Sequence, residues 1–230
     1  IRQTIKSAIH YIPGSYELFW TLRDLGNDNA NKFNKTIKMW GNYLNKIPLN
    51  THDKKVAVYA TRYNWIEICY AISIVLSVKY FNVDLIINPK LCNECPDDEY
   101  WKRFYNYYYG LFDKLRLGSN IRIININDYP HLSTLKVDRD YIMKQSYIDT
   151  IYLVKEEVAD ISDRHKEVYE YRVKQNKKIY KKLLHLFKNE KYEKVLIPNG
   201  RIHEFGVAFK TARLANLQPV TFEWWTGMPG

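Results

Sequence analysis

The sequence predicts an α/β fold: a parallel sheet flanked by helices, with a helical region ahead of it. Three observations predict it. Short runs rich in β-branched residues, bounded by polar ones, alternate with stretches long enough for helices. The order strand–helix–strand occurs twice, near residues 56–87 and again near 194–222. The chain of 230 residues is 46% hydrophobic, with 9 Gly and 8 Pro, which supports a core and excludes disordered, low-complexity and collagen-like classes.

Residues 1–50 form the N-terminal helical region. Apolar periodicity around Tyr16–Leu25 and Phe33–Leu44 is split by the loop Gly26–Asn29, and Pro48 closes the region. Val56–Ala60 reads as a buried strand, Trp65–Lys79 as a helix and Val83–Ile87 as a second strand stopped by Asn88-Pro89. A turn-rich loop spans 89–98. Glu99–Leu115 reads as a helix crowded with aromatics, and Ile121–Ile126 as a third strand. Residues 127–158 are ambiguous, and Thr150–Val154 fits strand or helix equally. Ala159–Asn189 gives the clearest helical pattern, with Val168, Tyr171, Gln175, Ile179, Leu183 and Leu186 near a 3.6-residue spacing. Lys194–Ile197 is a strand, Asn199-Gly200 a break, His203–Asn216 a helix and Pro219–Phe222 a last strand. The arrangement is Rossmann-like over residues 51–230. Trp224-Trp225-Thr226-Gly227-Met228-Pro229-Gly230 reads as a segment about to pack on a following domain.

Lys and Arg number 35 against 25 Asp and Glu, a formal charge of +10. Such a charge draws nucleic acid, anionic membrane surfaces or phosphorylated ligands. Cys69, Cys92 and Cys95 are too few and too odd for a disulfide framework, which favours a reducing compartment. The longest apolar run, 68–78, falls short of the about 20 residues that span a bilayer.

Several constellations bear on chemistry. Cys92-x-x-Cys95 has the spacing of a zinc or redox pair, but no second ligand pair accompanies it; packing under a sheet edge is the plainer reading. There is no GxGxxG, GxxxxGK[ST] or GxSxG, so nicotinamide, flavin, P-loop and serine-hydrolase chemistry are disfavoured. The first strand instead leads into Thr61-Arg62-Tyr63-Asn64, which offers a hydroxyl, a guanidinium, a phenol and an amide at a strand's carboxyl end, where ligands bind in open α/β sheets. His10, His52, His131, His165, His185 and His203 form no triad motif, and His165 and His185 read as solvated.

Asn199-Gly200-Arg201-Ile202-His203-Glu204 is the most informative stretch. Asn199-Gly200 tolerates positive φ, and the helix behind it aims unpaired N–H groups at the same crevice. Arg201 supplies a planar fork for an anion. Glu204 has the chemistry to orient or deprotonate a hydroxyl, although the helix dipole alone also favours an acid there. Ala208, Ala212 and Ala215 give the helix a small face for close packing. Arg213 and Glu223 read as charges near core, paired with each other or facing a ligand. Lys174, Lys177, Lys178, Lys181 and Lys182 make a basic face suited to solvent or anionic lipid, and Trp101 with Tyr107–Tyr109 are core aromatics or stacking platforms.

Three of these pieces in order, Val56–Leu76 with its glycine-free turn, Leu85–Cys95, and Val195–Arg201 running on to Glu223, resemble the N-terminal domain of bacterial glycosyltransferases of the GT-B type from capsule and surface-polysaccharide clusters. The resemblance covers about residues 56–225 and is loose in its middle. It implies an enzyme of two Rossmann-like domains about a cleft, with this chain as the acceptor half and a donor-binding domain following it. It implies a nucleotide-sugar co-substrate, no cofactor, no metal, and a glycan or lipid-linked acceptor. In that frame Glu204 is the first candidate base and His203 the second. Arg62, Tyr63, Asn64, Asn199, Gly200, Arg201 and Glu223 would bind substrate. The expected place is the cytoplasm, with the inner membrane face as a docking surface. The rival readings are a basic nucleic-acid-binding α/β module, for which no recognition motif is present, and a different nucleotide-using enzyme complete as it stands.

Overall fold

The computed structural model describes residues 54–61, 63–79, 81–88, 120–130 and 134–223, together with Met39 and Asn42. The expected N-terminal helical region otherwise, the Cys92–Cys95 loop, the aromatic helix 99–115, Arg62 and the Trp224–Gly230 segment lie outside the described residues.

Among the described residues five strands form the sheet: β1 (Lys55–Ala60), β2 (Asn82–Ile87), β3 (Ile121–Asn125), β4 (Lys194–Pro198) and β5 (Gln218–Phe222). Their order is β3-β2-β1-β4-β5, and every adjacent pair is parallel. Parallel neighbours cannot be joined by hairpins, so helices make the crossovers. Helix α1 (Tyr63–Lys79) joins β1 to β2 and α4 (His203–Leu214) joins β4 to β5. Two helices, α2 (Arg139–Val154) and α3 (Lys166–Asn189), lie between β3 and β4. The Rossmann-like α/β arrangement expected from the sequence is the one found.

Why these segments are strands follows from burial. In β1 and β2 every residue after the first is buried, as a central parallel strand covered on both faces requires. Alternation then assigns the faces. Ala57 and Tyr59 join Ile86, Val195 and Ile197 in a core with α3 and α4. Val56 and Val58 point to the opposite face, where α1 packs on β1 and β2. Leu183 and Phe187 of α3 are fully buried in the first layer, each removal from water being worth about 1.5–3 kcal/mol. Pro219 sits in β5, an edge strand, where a missing N–H costs no ladder bond.

One open reading is resolved and one helix expectation is corrected. Residues 139–154, ambiguous by pattern, are one continuous helix, so Thr150–Val154 is helical. The helix expected from Ala159 begins instead at Lys166. The Asp160 carboxylate accepts the backbone N–H groups of Ser162 and Asp163, and this local turn competes with helix through 161–165. His165 is buried at the helix start, against its expected solvation: its Nδ1 accepts the Asp160 N–H at 3.1 Å, and its Nε2 lies 3.0 Å from Arg164 Nε. His185 lies with Nδ1 2.8 Å from the Pro130 carbonyl oxygen.

The amino-terminal half of the sheet is tied by charge. Asp84, 2% exposed in the middle of β2, accepts two bonds from Arg122 of β3 (2.9 and 2.6 Å) and one from the Tyr192 hydroxyl (2.6 Å), with Lys55 Nζ at 3.0 Å. Glu190 closes the cluster, 2.5 Å from Lys55 and 2.7 Å from Arg122. A buried carboxylate persists only with partners of this kind. The Asp84 hydrogen bond holds the Arg122 guanidinium further toward its charged form. Burial pushes Glu190 up, but bonds from Lys55 and Arg122 outweigh it and hold the carboxyl below its ordinary 4.5. A carboxyl depressed on folding contributes stability that is present above its unfolded value and lost as pH falls through the folded one. Glu190→Gln is therefore expected to flatten the acid limb of the stability–pH curve below about pH 4.5 while changing the neutral-pH slope little, as read by urea midpoints across pH.

Candidate functional site

The chain leaves β1 toward β2 and β3 on one side, then returns to place β4 and β5 on the other. The strand order therefore reverses between β1 and β4, and their carboxyl tips lead into helices on opposite faces. A crevice at this switch point is where open α/β sheets hold ligands. The described residues of both turns singled out in the sequence flank it: Thr61, Tyr63 and Asn64 after β1 and Asn199–Ile202 after β4. Trp65, in the first turn of α1, bridges the two sides. Its ring meets Phe205 of α4 edge-on at 6.3 Å and Phe222 of β5 at 5.8 Å, and Tyr59 meets Phe205 at 6.1 Å.

The corner after β4 is built by its own side chains. Asn199 and Gly200 both take positive φ, 59° and 75°. Asn and Gly adopt this at least cost. At Gly200 an added Cβ would also lie 2.5 Å from Thr221 Cγ2. Asn199 Oδ1 accepts the Arg201 N–H at 3.0 Å, and its Nδ2 donates to Glu223 Oε1 at 3.3 Å. Arg201 and Glu223 are exposed. The corner thus presents a guanidinium and a carboxylate to solvent beside the start of α4, whose N-cap, Ile202, has no side-chain cap bond.

Below the corner lies a buried polar network that joins three helices. Arg172 of α3 is 2% exposed. Its Nη2 donates to Asp149 Oδ2 of α2 at 3.0 Å and to Glu204 Oε2 of α4 at 3.3 Å. Asn176 Nδ2 donates to Asp149 Oδ2 (2.8 Å) and to the Ser146 hydroxyl (3.0 Å). Gln145 Nε2 donates to Asp149 Oδ1 (2.9 Å) and to the Arg201 carbonyl (2.8 Å). The Tyr141 hydroxyl donates to the Gly206 carbonyl at 2.7 Å. Burial alone would push the Arg172 guanidinium toward neutrality, but the Asp149 and Glu204 charges more than offset it and keep it cationic. Burial, with Asp149 and Asp138 nearby, pushes the Tyr141 phenol up, so it is a donor at neutral pH. Gly206 permits this approach: a Cβ there would lie 2.4 Å from Gln145 Oε1 and 2.9 Å from the Arg201 carbonyl.

The geometry revises several expectations. Glu204 does not turn its carboxylate to the crevice; it is 3% exposed and bonded to Arg172, because an interior guanidinium between helices needs anionic partners. Arg213 and Glu223 are both exposed rather than near core, and Glu223 bonds Asn199. Lys182, placed with the exposed lysines, is buried and donates to the carbonyls of Asn127 (2.5 Å) and Tyr129 (2.7 Å). Tyr63 and Asn64 occupy the first turn of α1 and His203 opens α4. Cys69 is buried under β1, its thiol 3.6 Å from the Tyr59 carbonyl, and burial pushes that thiol up. The Arg172 network and Trp65 were missed. A signal existed: Gln145 and Asp149, and Arg172 and Asn176, are polar pairs spaced i, i+4, each on one helix face. Among the described residues no three His, Cys, Asp or Glu gather within reach of one metal ion.

No known family and no curated protein matches the chain. Among solved structures, a CDPS (cyclodipeptide synthase) from Fluoribacter dumoffii is similar with a TM-score of 0.46 and 9% identity, over 73% of this chain and 89% of that one. At that level the likeness carries no functional argument.

Two substitutions test the network. Glu204→Ala leaves Arg172 short of a partner and is expected to cost about 3 kcal/mol, whereas Glu204→Gln keeps an acceptor and should cost about 1 kcal/mol; urea unfolding read by circular dichroism ranks them. Gly206→Ala drives a methyl into Gln145 and the Arg201 carbonyl, and a loss of about 1–3 kcal/mol is expected as a lower thermal midpoint.

Proposed function

We propose that the chain is the acceptor-side domain of a glycosyltransferase built from two Rossmann-like domains, transferring a sugar from a nucleotide-sugar onto a glycan or lipid-linked acceptor. The observation that carries the reading is the switch-point crevice itself. Its β1 side is glycine-free, so no dinucleotide pyrophosphate approaches that backbone as it does at a GxGxxG turn. Its β4 side presents Arg201 and Glu223 to solvent, with Asn199 bonded between Glu223 and the Arg201 backbone. A guanidinium and a carboxylate at strand tips suit a hydroxylated, partly anionic molecule.

In this reading the roles differ from those first expected. Glu204 acts as a positioning residue, holding the start of α4 through Arg172. Arg201 engages the anionic part of the acceptor. Glu223, the exposed carboxylate beside the corner, takes the acceptor hydroxyl proton as the new glycosidic bond forms and the nucleoside diphosphate leaves. No helix among the described residues is long and apolar enough to cross a membrane.

The test is sugar transfer by the protein with its donor-binding partner domain, assayed with a panel of nucleotide-sugars and lipid-linked acceptors. Glu223→Gln is expected to lower kcat by about a hundredfold or more with KM little changed, and Arg201→Ala to raise acceptor KM. Transfer that survives Glu223→Gln at full rate removes the proton-acceptor assignment. Absence of transfer across the panel, with salt-sensitive RNA or DNA binding in its place, favours the nucleic-acid reading.

A further inference from the structure

A groove of about 610 Å³ runs between α2 and α3, lined by none of the switch-point residues. Its volume falls within the about 300–1,000 Å³ of small-molecule sites. Leu135, Val137, Ile142 and Val173 line it. Ile142 belongs to the main core and the other three pack against that core. Hydrocarbon entering the groove would therefore extend an interior already formed. Met143, 42% exposed, lines it as well and supplies an adaptable apolar surface.

The charge at the groove is one-sided. Among the described residues Arg139, Lys177 and Lys181 line it against a single acid, Glu170. The helices run antiparallel, since Ser146 meets Asn176 and Asp149 meets Arg172. Continuing that pairing toward the start of α2 brings Arg139 to the end where Lys177 and Lys181 emerge. Tyr169, Val173, Lys177 and Lys181 stand four residues apart along one line of α3. Cations thus gather at one end of the groove while Tyr169 and Val173 extend it toward the other. Lysine stems can lie along the apolar wall and leave their ammonium groups at the rim.

We propose that this groove binds a single-chain amphiphile with an anionic head: an alkyl or prenyl chain ending in a phosphate or carboxylate. The head sits between Arg139 and Lys177, and the chain lies along Val173, Ile142 and Tyr169. The inference is independent of the sugar-transfer reading, because Arg201 and Glu223 take no part in it.

The experiment titrates the full chain by calorimetry with dodecyl phosphate below its micelle concentration, and with dodecanoate to compare the two heads. Saturable one-to-one binding of at least one is expected. The pair Arg139→Glu and Lys177→Glu should weaken it by about tenfold or more, and Val173→Trp, which fills the groove without changing charge, should do the same. Should Val173→Trp fail to keep the parent circular dichroism, Met143→Trp at the exposed wall replaces it. Equal binding of dodecyltrimethylammonium overturns the proposal. So does full competition by inorganic phosphate, undiminished affinity in the filled-groove variant, or attachment to phosphatidylcholine–phosphatidate vesicles without binding of either free amphiphile.

Discussion

One guanidinium holds the helical layer of this protein together. Arg172 stands in the interior with Asp149 on one helix and Glu204 on another, and three helices meet around it. An ion of this kind is costly to bury, and its partners cannot be withdrawn singly without leaving a charge unpaired. The constraint propagates. Asp149 is also bonded by Gln145, and Gln145 reaches the Arg201 carbonyl, so the backbone of the corner after β4 is referenced to the same network. Gly206 completes the arrangement by letting α2 and α4 come close enough for these bonds to form.

The sheet uses charge differently at its two ends. At the amino-terminal half, Lys55, Asp84, Arg122 and Glu190 tie β1, β2 and β3 to the end of α3 with neighbouring charges of opposite sign. That cluster is self-satisfied. At the carboxyl tips the side chains satisfy the backbone only as far as the corner needs. Asn199 fixes the turn and touches Glu223, while Arg201 is left to solvent. A stable floor and an unspent polar edge are what an α/β sheet offers a ligand at its switch point. The aromatic contacts of Trp65 with Phe205 and Phe222 keep the two sides of that edge in fixed relation.

The same antiparallel packing of α2 on α3 accounts for the second surface of interest. Where the two helices face each other through Asp149, Arg172 and Asn176, polar groups are consumed internally. Toward the start of α2 the facing residues become apolar with cations at the rim. One helix pair thus produces a closed polar contact through Arg172 and Asn176 and an open amphipathic groove along Tyr169, Val173 and Lys177, on different faces of the same turns of α3.

The strands were legible because their signal is local. A parallel strand covered on both faces must be apolar along its length, and Val56–Ala60, Val83–Ile87 and Lys194–Ile197 carry that signal within a residue of the observed bounds. The Asn199-Gly200 corner was legible for a similar reason, since two successive positive φ values select those residue types. Helix α2 was illegible because its pattern is inverted: Gln145, Ser146, Asp149 and Thr150 face inward, while Met143, Ile148 and Tyr152 are exposed. Periodicity assumes that the buried face is the apolar one. The first half of α3 breaks the assumption too, burying Arg172 and Asn176 where Tyr171 and Gln175 were expected. The direction of the Glu204 side chain has the same cause. A carboxylate in a first helical turn is favoured by the dipole wherever its side chain goes, and only the presence of Arg172, thirty-two residues away in sequence, draws it inside. The sequence by itself determined the strands, the parallel sense of the β1–β2 and β4–β5 units and the position of the corner, because each depends on residues close together in the chain. Tertiary structure alone decided which charges face the crevice and which lie within, because that depends on partners brought together from separate helices.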